Sequence, residues 1–167
     1  MKDHTPIKRH QAIVSFSKDH HFGLLLVWKI RQGLNNAIST ERISNYVLFF
    51  FKNDLEKHFR EEEDLLFCNL PGDDILRKRA ETDHRAINKL VSEIGKNKNN
   101  AILLNQLADK LEEHIRFEER ELFNHLQNNI KADELSEIAK RLPNSGNAID
   151  DKWEDVFWDI KKGLSKN

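Results

Sequence analysis

The chain has 167 residues, of which 38% are hydrophobic and 33% are charged. This length is sufficient for one domain with a substantial hydrophobic core but too short for two domains that each have such a core. Its formal net charge of -1 comes from acids and bases that are interspersed, without the basic stripe of a nucleic-acid-binding protein, so neither nucleic acid nor an anionic membrane is an expected partner. No apolar run is long enough to cross a bilayer or to act as a signal region, and we expect a cytoplasmic protein.

Apolar residues recur at helical spacing between few glycines and prolines, which predicts an all-α fold. The first helix is predicted from about Ser17 to Asn35. The second begins at Ser39-Thr40, which can cap it, and ends at Leu70, before Pro71-Gly72. The apolar stripe of the first helix, which we expect to face the core, includes Phe16, His20, Leu24, Val27, Arg31 and Leu34.

The third helix is predicted to start at Asp73 or Asp74 and to end at Gly95, before a polar run. The fourth occupies about Ala101 to Asn129. Because short turns between long helices favour antiparallel neighbours, we predict an up-down-up-down antiparallel four-helix bundle over about residues 17–129.

A C-terminal extension over about residues 131–164 is predicted to belong to the same single domain. It should contain a short helix near Ala132–Arg141 and, after a Pro-Asn-Ser-Gly loop, an amphipathic helix. Such a helix could bind a partner, but we expect it to pack on its own domain. Its apolar face is predicted to contain Trp153, Val156, Phe157, Ile160 and Leu164.

Two histidines are each followed by a glutamate four residues later, which places imidazole and carboxylate on one helix face, one turn apart. These pairs are His58/Glu62 and His114/Glu118. They lie in an internal repeat, since residues 58–67 align without gaps to residues 114–123 and agree at six of ten positions. The second and fourth helices are therefore related.

The first and third helices share a shorter repeat, Asp19-His20 and Asp83-His84. Side chains on antiparallel helices meet only if they lie equally far from the turn between them, and the midpoints of successive histidines, residue 39, Pro71 and Asn99, all fall in predicted turns. Four imidazoles and two carboxylates buried together without a metal would cost about 1–3 kcal/mol or more for each unsatisfied group. We therefore predict a metal site formed by His20, His58, Glu62, His84, His114 and Glu118.

Three further residues could contribute to this site. His21 could replace His20, although the two point about 100° apart on a regular helix. Glu119 or Glu81 could also contact a metal. We expect the remaining histidines and nearby glutamates on solvated faces or at chain and helix ends: His4, His10, His125, Glu61, Glu63 and Glu121.

Cys68 is the only cysteine, which excludes an internal disulfide and a thiolate cluster. Imidazole and carboxylate donors suit iron, manganese or zinc, and two facing carboxylates can bridge a pair of ions. The His-Glu-x-x-His motif of zinc proteases does not occur, and only Glu81/His84 has the Glu-x-x-His spacing of ferritin-like di-iron proteins. Donor chemistry alone leaves the three metals open.

The order His, His-x-x-x-Glu, His, His-x-x-x-Glu over four helices resembles that of bacterial hemerythrin-like proteins of the HHE cation-binding family. The resemblance covers roughly Ser17 to Asn129 and includes the His-Phe-x-x-Glu-Glu and Leu-Phe elements. It implies two iron ions, bridged by Glu62 and Glu118 and by an oxo or hydroxo group. It also implies an open coordination position for a small diatomic or peroxide ligand.

Two positions depart from the oxygen-carrying hemerythrins, which have a third-helix His-x-x-x-His and a fourth-helix His-x-x-x-x-Asp. Here Ala80 stands one turn before His84, and Glu119 stands at the aspartate position. We therefore expect a protein that senses or handles oxygen, nitric oxide, peroxide or iron, in place of reversible oxygen transport.

Two competing hypotheses come from different functional classes. One is a peroxide-consuming di-iron enzyme, which would need a proton donor such as Glu61, Glu81 or Tyr46. The second is a helical interaction module whose polar layer only specifies packing, with an unknown protein partner. We do not expect a conventional enzyme.

Overall fold

A computed structural model describes residues 8–142 and 149–159 of the chain. The described residues form helices and connecting turns, with no β-strand among them, so the all-α prediction is confirmed. None of the described helices combines the length and the apolar character that crossing a membrane requires. Ile160 and Leu164, predicted to lie on the C-terminal apolar face, fall outside the described residues.

Four long helical stretches make up the body of the molecule. The first is α1 (Gln11–Asn35) and the third is α4 (Ile75–Lys96). The second consists of α2 (Thr40–Phe50), a π-helical turn (Phe51–Leu55), α3 (Glu56–Glu61), a π-helical turn (Glu62–Leu66) and a 3₁₀ turn (Phe67–Asn69). The fourth consists of α5 (Ala101–Phe117), a π-helical turn (Glu118–Leu122) and α6 (Phe123–Asn129). They are followed by α7 (Ala132–Arg141) and a 3₁₀ turn (Ile149–Lys152).

Side-chain caps determine where the later helices begin. The hydroxyl of Ser39 accepts from a backbone N–H of the first turn of α2, the carboxylate of Asp74 does so for α4, and the side-chain oxygen of Asn100 does so for α5. Each cap pairs an N–H group that has no partner within its own helix. These starts agree with the predicted ones, because capping is a local property of the sequence.

The first helix differs from its prediction at its start and on its buried face. It begins at Gln11, because the imidazole of His10 accepts a hydrogen bond from the backbone N–H of Ala12 and caps the helix. Leu24, predicted to be buried, is 38% exposed, and Gly23 faces the core in its place. A β-carbon on Gly23 would lie 2.8 Å from Ile115 Cδ1, so the missing side chain allows α1 and α5 to approach closely.

The prediction of an amphipathic C-terminal helix is wrong for the residues of that segment that the structure describes. Residues 153–159 form no helix. The segment lies on the bundle nonetheless: Phe157 is buried in the core, Asp150 contacts Lys29 and Tyr46, and Asp155 pairs with Arg42. Tertiary contacts determine its path, and the backbone does not need helical hydrogen bonds there.

Buried apolar side chains form two clusters, one toward each end of the helices. On α1, Phe16 belongs to one cluster and Leu26 to the other, with the buried His20 between them. On the fourth stretch, Leu111 and Phe123 belong to opposite clusters, with His114 between them. The histidines therefore lie in a polar layer that divides the core.

Candidate metal centre

The structure brings all six predicted site residues together in the polar layer, and all six side chains are buried. His20 lies in the cluster, whereas His21 points to solvent. The cluster draws one histidine from each of α1, α3, α4 and α5, and a glutamate from each of the two related π-helical turns: His20, His58, His84, His114, Glu62 and Glu118.

The six residues form two groups of four, and both glutamates belong to both groups. In the first, Glu62 and Glu118 lie with His20 and His58; in the second, they lie with His84 and His114. Within each group, one ligand atom from every residue lies within 4.8 Å of the others. Each group could hold one cation, with the two glutamates shared between the cations.

Glu62 divides its two oxygens between the groups. Oε1 lies 2.7 Å from Nε2 of His58 and 3.5 Å from Nε2 of His20. Oε2 lies 3.1 Å from Nε2 of His84. One carboxylate can therefore bind two cations, one through each oxygen.

Glu118 divides its oxygens in the same way. Oε2 lies 3.0 Å from Nε2 of His20, while Oε1 lies 2.9 Å from Nε2 of His114 and 3.8 Å from Nε2 of His84. Each group thus receives two imidazole nitrogens and one oxygen from each glutamate. This is a nitrogen and oxygen donor set without sulfur, which suits iron, manganese or zinc.

Six atoms of this cluster are buried without a hydrogen-bond partner: Nε2 of His20 and His58, and both carboxylate oxygens of Glu62 and Glu118. They approach one another, but not in hydrogen-bond geometry. Leaving buried polar atoms unpaired costs about 1–3 kcal/mol for each. Native proteins leave few such groups unpaired, and cations placed among these atoms would satisfy all six.

The outer nitrogen of each of the four imidazoles meets a carboxylate of a neighbouring helical stretch. The Nδ1 to oxygen distances are 2.8 Å for His20 and Glu119, 3.1 Å for His58 and Asp19, 3.0 Å for His84 and Glu63, and 3.1 Å for His114 and Asp83. Each helical stretch provides the carboxylate that contacts the histidine of the next stretch along the chain, and the fourth stretch provides the one that contacts the histidine of the first. These carboxylates form a closed ring of outer contacts around the layer.

The ring determines which nitrogen carries the proton. An ionised carboxylate only accepts hydrogen bonds, so Nδ1 of each histidine donates and Nε2 presents a lone pair to the centre. Nε2 of His84 and Nε2 of His114 lie 3.2 Å apart with both lone pairs directed inward. That approach is repulsive unless a proton or a metal cation lies between them. Carboxylate contacts of this kind orient metal-binding histidines and strengthen them as ligands.

Both shared glutamates stand at the first residue of a π-helical turn, Glu62–Leu66 and Glu118–Leu122. These turns occupy equivalent positions in the internal repeat. A π-helical turn contains an extra residue, which shifts the side chains after it around the helix, and such turns are frequent at functional sites. Helical periodicity does not predict them, although the repeat explains why they occur twice.

Protons are the cations that the cluster can hold when no metal is bound. Burial by itself lowers the pKa of His58, but the carboxylates of Glu62 and Asp19 outweigh burial and raise it to about 9. Burial likewise lowers the pKa of His84, and the carboxylates around it raise it to about 11. Burial and the charge of Glu118 raise the pKa of Glu62, yet the surrounding imidazoles lower it to about 2. The centre therefore attracts positive charge.

A small cavity of about 10 Å³, close to the space that one water molecule needs, opens beside the cluster. Three histidines line it: His20, His58 and His114. Asp19 and Asp54 also line it, and the rest of the lining consists of apolar residues and Gly23. The space next to the histidines therefore holds about one water-sized group.

The remaining predicted residues lie outside the six-residue cluster. Glu119 and Glu63, expected on solvated faces or as substitute ligands, bind the outer nitrogens of two histidines. Glu81 pairs with Arg77, and Glu61 with Lys57. Tyr46 contacts Lys29 and Asp150, His10 caps α1, His125 contacts Asp74, Glu121 is exposed, and His4 falls outside the described residues.

The outer ring of carboxylates was not predicted from the sequence. Two signals could have revealed the ring, since Asp-His recurs at Asp19 and Asp83, and Glu-Glu recurs within the longer repeat. Neither signal states which histidine each carboxylate reaches, because every contact joins different helical stretches.

Comparison with known proteins agrees with this geometry. A family model described as Hemerythrin HHE cation binding domain matches residues 13–126, more than half of the chain. No curated protein and no solved structure matches significantly. The matched range contains all six residues of the cluster and all four carboxylates of the outer ring.

Proposed function

The chain belongs to the hemerythrin HHE cation-binding domain family, and on that premise we propose that it is a non-haem di-iron protein. In this proposal His20 and His58 hold one iron, and His84 and His114 hold the other. Glu62 and Glu118 bridge the two ions. The single observation that carries the proposal is the division of each glutamate's oxygens between the two groups.

A di-iron centre fits the donor set better than two independent sites do. Independent sites would not require the same two carboxylates, whereas a bridged pair does. Each ion would receive two imidazoles and two carboxylate oxygens, which leaves coordination positions open at an iron that prefers more ligands. Iron in such a site supplies one-electron chemistry and an open position for a small ligand.

The protein's own residues support a role in sensing or handling a small ligand. A water-sized cavity beside the cluster reaches three of the four histidines and marks the side from which a ligand as small as oxygen, nitric oxide or peroxide would approach. Ala80 offers no donor atom, and Glu119 binds the outer nitrogen of His20 and lies in neither four-residue group. The departure at Ala80 therefore leaves the irons with one protein ligand fewer, whereas Glu118 supplies the fourth-helix carboxylate one residue earlier.

The up-down order of the helices and a single domain are part of the same proposal. The rings of His20 and His58 lie 5.3 Å apart, and those of His84 and His114 lie 4.8 Å apart. Consecutive helical stretches joined by short turns bring residues at equal distances from the turn together when they run antiparallel. A cytoplasmic location stays a prediction.

The test is elemental analysis of the purified protein together with its visible and near-ultraviolet spectrum in air. We expect two irons per chain and charge-transfer bands of a bridged ferric pair. Two zinc or two manganese ions without such bands would retain the site and overturn the iron assignment. A protein that binds no metal after exposure to any of the three would refute the metal centre itself, and would favour the interaction module.

The peroxide-consuming enzyme is a distinct hypothesis. Its three candidate proton donors, Glu61, Glu81 and Tyr46, do not line the cavity. Turnover of peroxide by the iron-loaded protein, lost in His58→Ala, would nonetheless establish it.

A further inference from the structure

The outward face of α4 is basic along most of its length. Its exposed side chains include five cations and no acid: Lys78, Arg79, Arg85, Lys89 and Lys96. The acids that separate these cations in the sequence lie elsewhere on the helix, since Asp83 is buried and Glu81 and Glu93 are half-buried at its sides. Helical periodicity therefore collects onto one face, over about 27 Å, charges that are interspersed in the sequence.

The cations of this basic face have few partners within the protein. Four of the five pair with no carboxylate of the residues that the structure describes. The fifth, Arg79, has Nη2 4.0 Å from Glu113, and Arg85 donates to the hydroxyl of Thr82, 3.0 Å away. Because the chain has a formal net charge of -1, the rest of it is net negative. A face of one sign on such a molecule attracts and orients a partner of the opposite sign.

The same helix carries a candidate metal ligand on its inner side. His84 precedes Arg85 in the sequence and is 1% exposed. An α-helix with its side chains is about 10–12 Å across, so a partner on the basic face lies one helix thickness from the centre. The outer nitrogen of His84 contacts Glu63, whose side chain is 43% exposed, more than the other three carboxylates of the outer ring. The centre therefore comes closest to solvent at the edge of α4.

We propose that the basic face of α4 docks an acidic one-electron carrier protein, with an iron–sulfur or flavin group, that reduces the metal centre. The inference rests on the proposed di-iron function, because a ferric pair takes up one electron for each ion that becomes ferrous. Each docking event transfers one electron: the carrier is oxidised, and one ferric ion becomes ferrous.

The charges favour a protein carrier over larger anionic partners. Electron carriers bind through small interfaces, and charge complementarity steers their encounters, which suits a few cations on one helix. Duplex DNA or an anionic bilayer extends beyond the helix and would also meet the rest of the chain, whose net negative charge repels it. A small protein with a local acidic patch needs to meet only the basic face.

The test uses the iron-loaded full-length protein and an acidic plant-type [2Fe–2S] ferredoxin as the probe. Calorimetry at about 0.01 M ionic strength, where charges act over about 30 Å, measures the affinity for oxidised ferredoxin. Anaerobic stopped-flow spectroscopy measures the rate at which reduced ferredoxin reduces the ferric pair. Arg85→Gln/Lys89→Gln removes two cations from the middle of the face. Lys18→Gln/Arg141→Gln removes the same two residue types from exposed positions on α1 and α7 and is the matched control.

Iron content and thermal melts first establish that each variant is loaded and folded. Reduction by dithionite, which needs no docking surface, should then proceed at the same rate in all three proteins. Arg85→Gln/Lys89→Gln should bind ferredoxin about tenfold more weakly and be reduced by it about tenfold more slowly, because charge steering raises association by about this factor or more. At about 0.15 M ionic strength, where charges are screened beyond about 8 Å, most of the difference should disappear. The control should match the unsubstituted protein throughout.

Equal ferredoxin affinities and rates in all three proteins would overturn the docking surface and leave the di-iron function standing. Duplex DNA or phosphatidylglycerol vesicles that bind in place of ferredoxin, and lose affinity in Arg85→Gln/Lys89→Gln, would overturn the choice of partner. A chain that takes up no iron would refute the di-iron function and the electron transfer with it, whatever its affinity for ferredoxin.

Discussion

Removal of the charge at Asp83 tests whether the outer carboxylates strengthen the metal centre. Asp83 has the most buried side chain of the four, 6% exposed, and its two oxygens contact different partners. Oδ2 lies 3.1 Å from Nδ1 of His114, and Oδ1 lies 2.8 Å from Nζ of Lys110. In Asp83→Asn, the amide oxygen can still accept from His114, but the negative charge that makes the imidazole a stronger ligand is lost.

The expected magnitude follows from that loss. Substitution of a carboxylate that hydrogen-bonds a metal-binding histidine typically lowers metal affinity by about 10- to 100-fold, equivalent to about 1.4–2.8 kcal/mol. Asp83 should lie toward the upper end of this range because its buried charge is poorly screened by solvent. Glu63, whose side chain is 43% exposed, performs the same role for His84, so Glu63→Gln should cost less.

The assay is competition for ferrous iron between each variant and a chromophoric chelator, with oxygen excluded. Asp64→Asn removes one charge from an exposed position close to Glu63 and serves as the control. Melting curves of the metal-free variants separate a weaker site from a less stable fold. If Asp83→Asn, Glu63→Gln and Asp64→Asn all retain the unsubstituted affinity, the outer ring does not tune the centre and its contacts are only structural.

Three further predictions concern the ligand layer and the cavity. In elemental analysis, His20→Ala should lower the iron content by at least one ion per chain, whereas His21→Ala should leave it unchanged. The reverse result would move the first-helix ligand by one residue. The metal-free protein should lose stability in thermal melts as the pH rises from about 6.5 to 9. The reason is that His58 binds its proton more tightly in the folded protein, where its pKa is about 9, than in the unfolded chain. A melting temperature that rises over this range would contradict the raised pKa of His58. Gly23→Ala should weaken the binding of a small ligand such as azide at unchanged iron content, because Gly23 and Ile115 both line the cavity and the added β-carbon would lie 2.8 Å from Ile115 Cδ1. Unchanged azide affinity would place the ligand elsewhere.

Much of the fold could be predicted from local signals in the sequence. Ser39, Asp74 and Asn100 cap their helices through contacts that span only a few residues, so the starts of α2, α4 and α5 were predictable. The start of α1 was not, because histidine is not a usual cap and His10 had no recognised signal. The C-terminal segment was predicted to be helical from its apolar spacing, but residues 153–159 follow another path, in which Asp155 pairs with Arg42 and Phe157 is buried, after Asp150 has contacted Lys29 and Tyr46.

For the candidate site, the sequence by itself determined which six residues could meet, because the repeated His-x-x-x-Glu and the equal spacing of histidines from the turns are one-dimensional properties. Only the tertiary structure decided how they meet. The division of Glu62 between two groups, the reach of Asp83 to His114 and the cavity beside Asp54 each depend on neighbouring helices. The physical reason is that a helix determines which face a side chain occupies, whereas the packing of helices determines which atoms lie opposite that face.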